Sequence, residues 1–137
     1  MKIALYEAVR HENLREEVAP SLGYLAAYIN ERLPGKVQVR IFRKLSNLIK
    51  YGPALTGISV TSAYYGYAIK AAKKIKKEID CAVILGGYHI TAAPRSLSGI
   101  FSAGVIGEGE AAFLELVSEM LSGNTLEASR LSHIKGI

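Results

Sequence analysis

Two glycine turns and two hydroxyl side chains are the residues of this chain best suited to chemistry. One short apolar run ends at Gly86 and Gly87, and another ends in the turn Gly107–Glu110. Residues without a β-carbon let a ligand lie against the backbone, or let the chain turn sharply. Ser59 and Thr61 close a third apolar run and add hydroxyls that can hydrogen-bond a ligand. This set favours the binding of a small molecule, although the glycines alone would also suit plain turns.

The turn Gly107–Glu110 has more than one interpretation. Glu108 and Glu110 precede or begin a predicted helix, where each negative charge is favoured by ~0.3–1 kcal/mol. The alternative to this structural role is that the turn faces a ligand or another domain. The segment Gly107–Ala112 also matches Gly-x-Gly-x-x-Ala, the dinucleotide pattern, by letter. However, the match follows the last strand instead of the first, and two glutamates would face a pyrophosphate. A nucleotide-binding protein is therefore the weakest of the functional alternatives.

Other side chains exclude several functions of similar folds. Asp80 is the one aspartate and lies at the wrong end of a strand, whereas a phosphoacceptor receiver needs clustered aspartates. The segment Ala8–Asn13 lacks the glycines and hydroxyls that cradle a flavin phosphate. Cys81 is the one cysteine, so it can form neither an internal disulfide nor, by itself, a zinc or iron–sulfur site. We interpret Cys81 as a small core residue.

Composition indicates one soluble α/β domain with a sizeable core. The chain has 137 residues, of which 50% are hydrophobic and 21% charged. No apolar run approaches the ~20 residues that span a membrane, and the N-terminus is not a signal peptide, so we expect a cytoplasmic protein without a membrane partner. The formal net charge is +5. Five lysines of Lys70–Lys77 lie opposite an apolar stripe, which is typical of a solvated helix face and does not favour nucleic-acid binding.

Hydrophobic periodicity predicts strands that alternate with helices. The predicted strands are Lys2–Tyr6, Val37–Phe42, Leu55–Val60, Cys81–Leu85 and Ala103–Ile106. The predicted helices are Pro20–Leu33, a short turn at Leu45–Ile49, a helix to about Ile79 that Thr61 or Ser62 caps, and Ala111–Leu121 with Leu121 on its buried side. We expect a polar loop at Ala8–Ala19, a polar turn after Gly87, and no strong pattern in residues 124–137.

This alternation predicts a flavodoxin-like, Rossmann-like three-layer α/β sandwich. Its five-stranded parallel sheet should have the order 2-1-3-4-5, with right-handed crossovers and helices on both faces. Ligands of such folds bind at the carboxyl ends of the strands, near the point where the strand order reverses. That edge collects four segments, namely Glu7–Ala19, Gly57–Ser62, Gly86–Thr91 and Gly107–Glu110.

Four segments in order resemble one known domain. They are Ala19–Tyr28, Gly57–Thr61, Leu85–Thr91 with Pro94, and Val105–Glu110 with Phe113–Leu116. Together they resemble the cobalamin-binding domain that precedes the radical S-adenosylmethionine barrel in cobalamin-dependent radical enzymes. That family includes methyltransferases and the anaerobic Mg-protoporphyrin ester cyclase. The resemblance covers nearly the whole chain and implies that the nucleotide tail of cobalamin lies along the sheet edge.

The resemblance also implies which residues touch the cofactor. Glycines would provide bare backbone, Ser59 and Thr61 would provide hydroxyls, and Gly23 near the start of the first helix would let the tail pass. The implied contacts are Gly23, Gly57, Ser59, Val60, Thr61, Gly86, Gly87, His89, Gly107, Glu108 and Gly109. His89 could hydrogen-bond the cofactor or contact a partner domain, and satisfying a turn carbonyl is the structural alternative. Tyr88 and His89 would stand at the lip of the groove.

Two features depart from related domains. Cobalamin domains of the methionine synthase and mutase kind carry Asp-x-His-x-x-Gly, but Val9 and Leu14 occupy the flanking positions around His11. We therefore expect cobalamin without a protein histidine ligand and no protein-bound metal. Radical chemistry in the family needs Cys-x3-Cys-x2-Cys for an iron–sulfur cluster, which one cysteine cannot supply.

The missing cysteines set the expected domain organisation. We expect residues 1–123 to form the cobalamin-binding-like domain, and residues 124–137 to form a tail leading toward an absent barrel. The iron–sulfur cluster and S-adenosylmethionine would belong to that barrel, in cis or in trans, and this chain alone would not be an enzyme. The alternative is a cofactor-free interaction domain of the same fold that docks the barrel through the same edge.

Overall fold

A five-stranded parallel sheet forms the centre of the computed structural model, which describes residues 1–12, 17 and 19–137. The strands are β1 (Lys2–Glu7), β2 (Gln38–Phe42), β3 (Leu55–Ser59), β4 (Ala82–Gly86) and β5 (Ala103–Gly104). The helices are α1 (Pro20–Arg32), α2 (Leu45–Tyr51), α3 (Tyr65–Glu78), α4 (Tyr88–Ala92), α5 (Glu110–Leu121) and α6 (Ala128–Leu131). The predicted loop Ala8–Ala19 lies partly outside the described residues, since 13–16 and 18 are not among them.

The strand order is β2-β1-β3-β4-β5, and every pairing is parallel. The predicted flavodoxin-like fold and its order 2-1-3-4-5 are therefore confirmed. Register aligns the carboxyl ends of three strands, because Glu7 pairs with Ser59 and Ser59 pairs with Gly86. The strand order reverses between β1 and β3, so this edge is where the fold leaves room for a ligand.

Side-chain alternation along the strands divides the core into two layers. On one face, Leu5 and Ile84 pack with Leu22 of α1 and Phe113 of α5. On the other face, residues such as Val83 pack with the buried side of α2 and α3. The buried side of α3 consists of Ala68, Ala71, Ala72 and Ile75, while Lys70, Lys73, Lys74, Lys76 and Lys77 are exposed. The predicted solvated lysine face of α3 is thus confirmed.

Several local predictions are wrong, for identifiable reasons. Neither Thr61 nor Ser62 caps α3, because a 3-10 turn at Ser62–Tyr64 separates them from the helix. The predicted polar turn after Gly87 contains α4, a helix too short to carry a periodic signal. The regular ladder of β5 ends at Gly104, although the Val105 amide still donates to the Leu85 carbonyl at 2.8 Å.

The C-terminal segment packs onto the same core as the rest of the chain. Leu131 and Ile134 are 3% and 4% exposed, and both belong to the layer under α1 and α5. The Ile106 amide donates to the Gly136 carbonyl at 2.7 Å, so the segment runs beside the end of β5. Residue Leu121, predicted on the buried side of α5, is instead 38% exposed.

Candidate functional site

A cavity of about 580 Å³ opens at the carboxyl ends of the strands, on the face covered by α1 and α5. We call it the strand-edge cavity. Its floor is apolar and includes Leu5, Ile84, Val105 and Phe113. Its volume lies within the range of roughly 300–1,000 Å³ that is usual for small-molecule sites. The cavity forms here because β3 and β4 end in residues with small side chains, Ser59 and Gly86, while α1 and α5 begin on either side.

The cavity lining contains seven of the eleven residues predicted to touch a cofactor. They are Gly57, Ser59, Gly86, Gly87, Gly107, Glu108 and Gly109. Tyr88 and Glu110 also line it, as expected of a lip residue and of the second acid of the glycine turn. Gly23, Val60, Thr61 and His89 are not among its lining residues.

Gly86 and Gly87 have different roles, although they are adjacent. A β-carbon on Gly86 would meet no atom nearer than the Ile58 carbonyl oxygen, at 3.9 Å. Gly86 therefore exposes open backbone to the cavity. Gly87 has φ +96°, and its β-carbon would lie 2.8 Å from both the nitrogen and the oxygen of Val60. Each of the two roles predicted for the glycine pair therefore belongs to one residue: Gly86 leaves space for a ligand, and Gly87 makes the turn.

Gly57 is required by packing. Its β-carbon would lie 2.9 Å from Leu5 Cδ2 and 3.1 Å from Phe113 Cε2. The absent side chain lets the Phe113 ring of α5 lie directly on β3, and that ring forms part of the cavity floor. Gly57 consequently shapes the cavity through a neighbouring side chain as well as lining it.

Thr91 connects the two glycine turns. Its hydroxyl donates to the Gly87 carbonyl at 3.0 Å and accepts the Gly107 amide at 3.0 Å. Gly107 has φ +77°, a conformation that glycine adopts without the penalty of a β-carbon. The Thr91 hydroxyl therefore holds the turn after β5 against the turn after β4, and has no proton left to donate to a ligand.

The first turns of α1 contribute cavity residues that sequence reasoning missed. Ser21, Tyr24 and Leu25 line the cavity from this side. Their spacing of three and four residues places them on one face of α1, and they belong to the segment Ala19–Tyr28 that carries the family resemblance, but Gly23 is the one residue of this helix predicted to touch a cofactor. Tyr24 is 73% exposed and Tyr88 is 83% exposed, so two tyrosines stand at the mouth of the cavity.

His89 lies in a separate cluster on the α3 side of the sheet. Its ring stacks on Tyr65 with centroids 3.9 Å apart, while Nδ1 lies 3.0 Å from Ser62 Oγ and Nε2 lies 2.9 Å from Ser96 Oγ. Because Ser96 Oγ donates its own proton to the Ala93 carbonyl, Nε2 must donate to Ser96. Neutral His89 then accepts from Ser62 at Nδ1. Both ring nitrogens have partners within the chain, and neither partner is a backbone carbonyl.

The beginning of the loop after β1 also turns away from the strand-edge cavity. Glu12 accepts the Tyr6 hydroxyl at 2.5 Å and the Leu45 amide at 3.1 Å. Burial and this carboxylate raise the pKa of the Tyr6 phenol, with burial the larger cause. His11 lies in a different depression, beside Lys70 and other residues of α3.

Cys81 is buried, as predicted for a core residue. It is 6% exposed, and its sulfur lies 3.2 Å from Thr56 Oγ1. Burial raises the pKa of the Cys81 thiol, which opposes formation of a reactive thiolate. Within the described part of the chain, no group of three or more histidine, cysteine or acidic residues could hold a metal ion. The described helices likewise include none long and apolar enough to cross a membrane.

Comparison with known proteins identifies relatives of the fold and the sequence. No protein-family model matches the chain. Over 118 residues it is 31% identical to an uncharacterized methyltransferase, PH0819, of Pyrococcus horikoshii, covering 77% of this chain and 25% of that protein. The chain thus spans about a quarter of the length of this curated relative.

Solved structures give a match over almost the whole chain. A structure of the cobalamin-dependent S-adenosylmethionine radical enzyme OxsB with aqua-cobalamin bound matches 98% of this chain and 20% of its own, with a TM-score of 0.73 and 19% identity. An apo structure of the same enzyme matches 89% of this chain and 19% of its own, with a TM-score of 0.59 and 17% identity. The resemblance seen in the sequence is therefore confirmed: this chain has a Rossmann-like fold that is also present in a cobalamin-dependent radical S-adenosylmethionine enzyme, and its sequence is similar to that of a methyltransferase.

Proposed function

We propose that this chain binds cobalamin and holds it for a radical S-adenosylmethionine enzyme. The observation that carries the proposal is the strand-edge cavity, with open backbone at Gly86 and an apolar floor beneath it. A similar fold in OxsB belongs to an enzyme solved with aqua-cobalamin bound. When bound, cobalamin supplies a cobalt ion that changes oxidation state and axial ligand, while the protein supplies binding and orientation.

The cavity residues fit the nucleotide tail of this cofactor. Gly86 leaves space where any other side chain would occupy the cavity, because its β-carbon position is open to 3.9 Å. Ser59 and Ser21 line the cavity, and neither hydroxyl has a hydrogen bond within the described residues, so both can bond to a tail. Gly107, Glu108 and Gly109 would border the tail where it leaves the cavity. We assign the cofactor contacts to these residues and to Gly57 and Gly87, and leave Gly23, Val60, Thr61 and His89 outside them.

The partner would be a radical S-adenosylmethionine barrel that covers the cavity mouth. The exposed rings of Tyr24 and Tyr88 favour this location, because large exposed aromatic side chains are enriched in protein interfaces. We further propose that residues 124–137 lead from the domain 1–123 toward this barrel. The bond between Ile106 and Gly136 supports that path, since it holds the segment one residue before the cavity turn at Gly107.

A titration with hydroxocobalamin tests the proposal. We expect saturable uptake by the chain, with a change in the visible absorption of the corrin. Absence of uptake at high micromolar cobalamin would overturn cobalamin binding.

The second candidate, a cofactor-free docking domain, rests on the same exposed tyrosines. It predicts that the chain binds a radical S-adenosylmethionine barrel equally well with and without cobalamin. A Tyr24→Ser, Tyr88→Ser double variant should weaken that binding and leave the thermal unfolding midpoint of the chain unchanged. Undiminished binding by this variant would contradict docking through the cavity mouth.

A further inference from the structure

Two backbone amides fix the path by which the chain enters the cavity turn Gly107–Glu110. The Val105 amide donates to the Leu85 carbonyl of β4 at 2.8 Å. The Gly107 amide donates to the Thr91 hydroxyl of α4 at 3.0 Å. Val105 and Gly107 both line the cavity. The wall of the cavity is thus tied to β4 before the turn and to α4 where the turn begins.

Ile106, the residue between these two, is bonded to the C-terminal segment. Its amide donates to the Gly136 carbonyl at 2.7 Å. Gly136 has φ +90°, and a β-carbon on it would lie 3.2 Å from the Ile106 carbonyl oxygen and 3.9 Å from Ala112 Cβ. The C-terminal segment therefore lies directly against the backbone that leads into the turn, at a distance that a side chain at position 136 would disturb.

Buried side chains anchor this contact. We call residues 131–136 the C-terminal strap. Leu131 and Ile134 of the strap are 3% and 4% exposed. They share one core cluster with Val105 and Phe113, two residues of the cavity lining. The bond to Ile106 therefore belongs to a segment that is packed into the domain.

We propose that the C-terminal strap is a positioning element of the strand-edge cavity, which holds the turn Gly107–Glu110 in the conformation that receives the ligand. The inference rests on the proposed cobalamin binding. All four residues of this turn line the cavity, so their backbone must be ordered when a ligand is bound. With the strap in place, this order exists before binding. Without it, binding would have to offset the conformational entropy that the turn then loses.

Alanine at a glycine of positive φ tests the strap in the full chain. Gly136→Ala places a β-carbon against the Ile106 carbonyl oxygen, so the strap should shift and the bond from the Ile106 amide should be lost. Gly35→Ala is the matched control, because Gly35 has φ +72° and an added β-carbon would meet no atom within 4 Å. Gly35 lies between α1 and β2, at the edge of the sheet opposite to the cavity.

Hydrogen exchange and cobalamin titration provide separate readouts. We expect the Ile106 and Gly107 amides to exchange at least about 5-fold faster in Gly136→Ala than in Gly35→Ala, because only the first variant releases the strap. We expect the Kd for hydroxocobalamin to rise roughly 5- to 30-fold in Gly136→Ala, the effect of ordering one or two residues on binding. In Gly35→Ala it should stay within about twofold. Thermal unfolding should show a lower midpoint for both variants, because alanine is disfavoured at positive φ in both.

Truncation of a buried anchor provides a second test that does not involve position 136. Ile134→Ala loosens the strap, whereas Ile75→Ala removes the same atoms from α3 in the opposite core layer. Both variants should lose stability. We expect Ile134→Ala to raise the Kd for hydroxocobalamin by about 3- to 10-fold. For Ile75→Ala the Kd of the folded fraction should be unchanged. An equal effect of both truncations on the Kd would contradict a positioning role for the strap.

The outcomes distinguish this inference from the proposed function. Equal exchange rates of Ile106 and Gly107 in the two glycine variants would overturn the positioning role, whether or not cobalamin binds. If the unmodified chain and Gly136→Ala bound cobalamin equally tightly, the positioning role would also be overturned, and the proposed function would stand. If the unmodified chain took up no cobalamin, the proposed function would fail, and the exchange rates would still decide whether the strap holds the turn.

Discussion

Replacing Gly86 by valine separates ligand binding from folding at the floor of the cavity. The added β-carbon meets nothing nearer than 3.9 Å, and valine suits a strand, so the fold should keep its stability. A ligand lying on this backbone would have to retreat by the thickness of an isopropyl group. It would lose on the order of ten to twenty heavy-atom contacts at ~0.1–0.2 kcal/mol each, or roughly 1–4 kcal/mol. We therefore expect the Kd for cobalamin to rise by between about 5-fold and several hundred-fold.

The neighbouring glycine supplies the contrasting variant. Gly87→Ala forces a β-carbon to within 2.8 Å of the Val60 backbone at φ +96°. For alanine the backbone conformation alone, with φ +96° and ψ −172°, costs ~1–3 kcal/mol because essentially only glycine adopts it, and relief of the contact raises the total to roughly 2–4 kcal/mol. For a chain of this size, that loss lowers the midpoint of thermal unfolding by about 6–12 °C.

Two measurements on both variants complete this test. Visible absorption titration gives the Kd for hydroxocobalamin, and circular dichroism gives the unfolding midpoint. The reasoning is refuted if Gly86→Val binds cobalamin as tightly as the unmodified chain does. It is equally refuted if Gly87→Ala unfolds at the same temperature as the unmodified chain.

The remaining predictions concern packing, the histidine cluster and the buried thiol. Gly57→Ala should lower the free energy of unfolding by about 1–3 kcal/mol, because the added β-carbon presses on Leu5 and Phe113. An unchanged free energy of unfolding in urea denaturation would contradict this packing role. His89→Phe keeps a ring over Tyr65 but loses both serine hydrogen bonds, so we expect urea denaturation to show ~1–2 kcal/mol of destabilisation. The Kd for cobalamin should stay within about twofold of that of the unmodified chain, and a larger change would indicate that His89 contacts the cofactor. The Cys81 thiol should resist alkylation at pH 8 in the native chain and react once urea unfolds it. Because its folded pKa is raised, Cys81 stabilises the fold below its unfolded pKa of about 8.5, and this contribution is lost as pH rises beyond that value. Cys81→Ala should therefore show a weaker fall of stability between pH 8 and pH 10.

Local pattern was enough to predict the fold because its signals are repeated along the chain. Apolar runs of strand length alternate with helices whose apolar residues recur at three and four positions, and this arrangement allows few topologies. The same pattern predicted the edge of the sheet at which the cavity opens. It missed α4 because five residues carry no periodicity, and it missed Ser21 and Tyr24 because their spacing places them on one face of α1 without showing that this face borders the cavity.

The sequence by itself determined the order of the strands, the burial of Cys81 and the presence of small residues at the carboxyl ends of β3 and β4. Only the tertiary structure decided what each of those residues does. Gly86 and Gly87 are chemically identical and adjacent, and both line the cavity, but the distances of 3.9 Å and 2.8 Å from an added β-carbon to the surrounding backbone show that Gly86 leaves open space and Gly87 makes the turn. His89 follows them by two residues, and the same turn directs its ring toward Tyr65 and away from the cavity. The physical reason is that such roles depend on atoms of strands and helices distant in sequence, and those atoms are placed only when the sheet has formed.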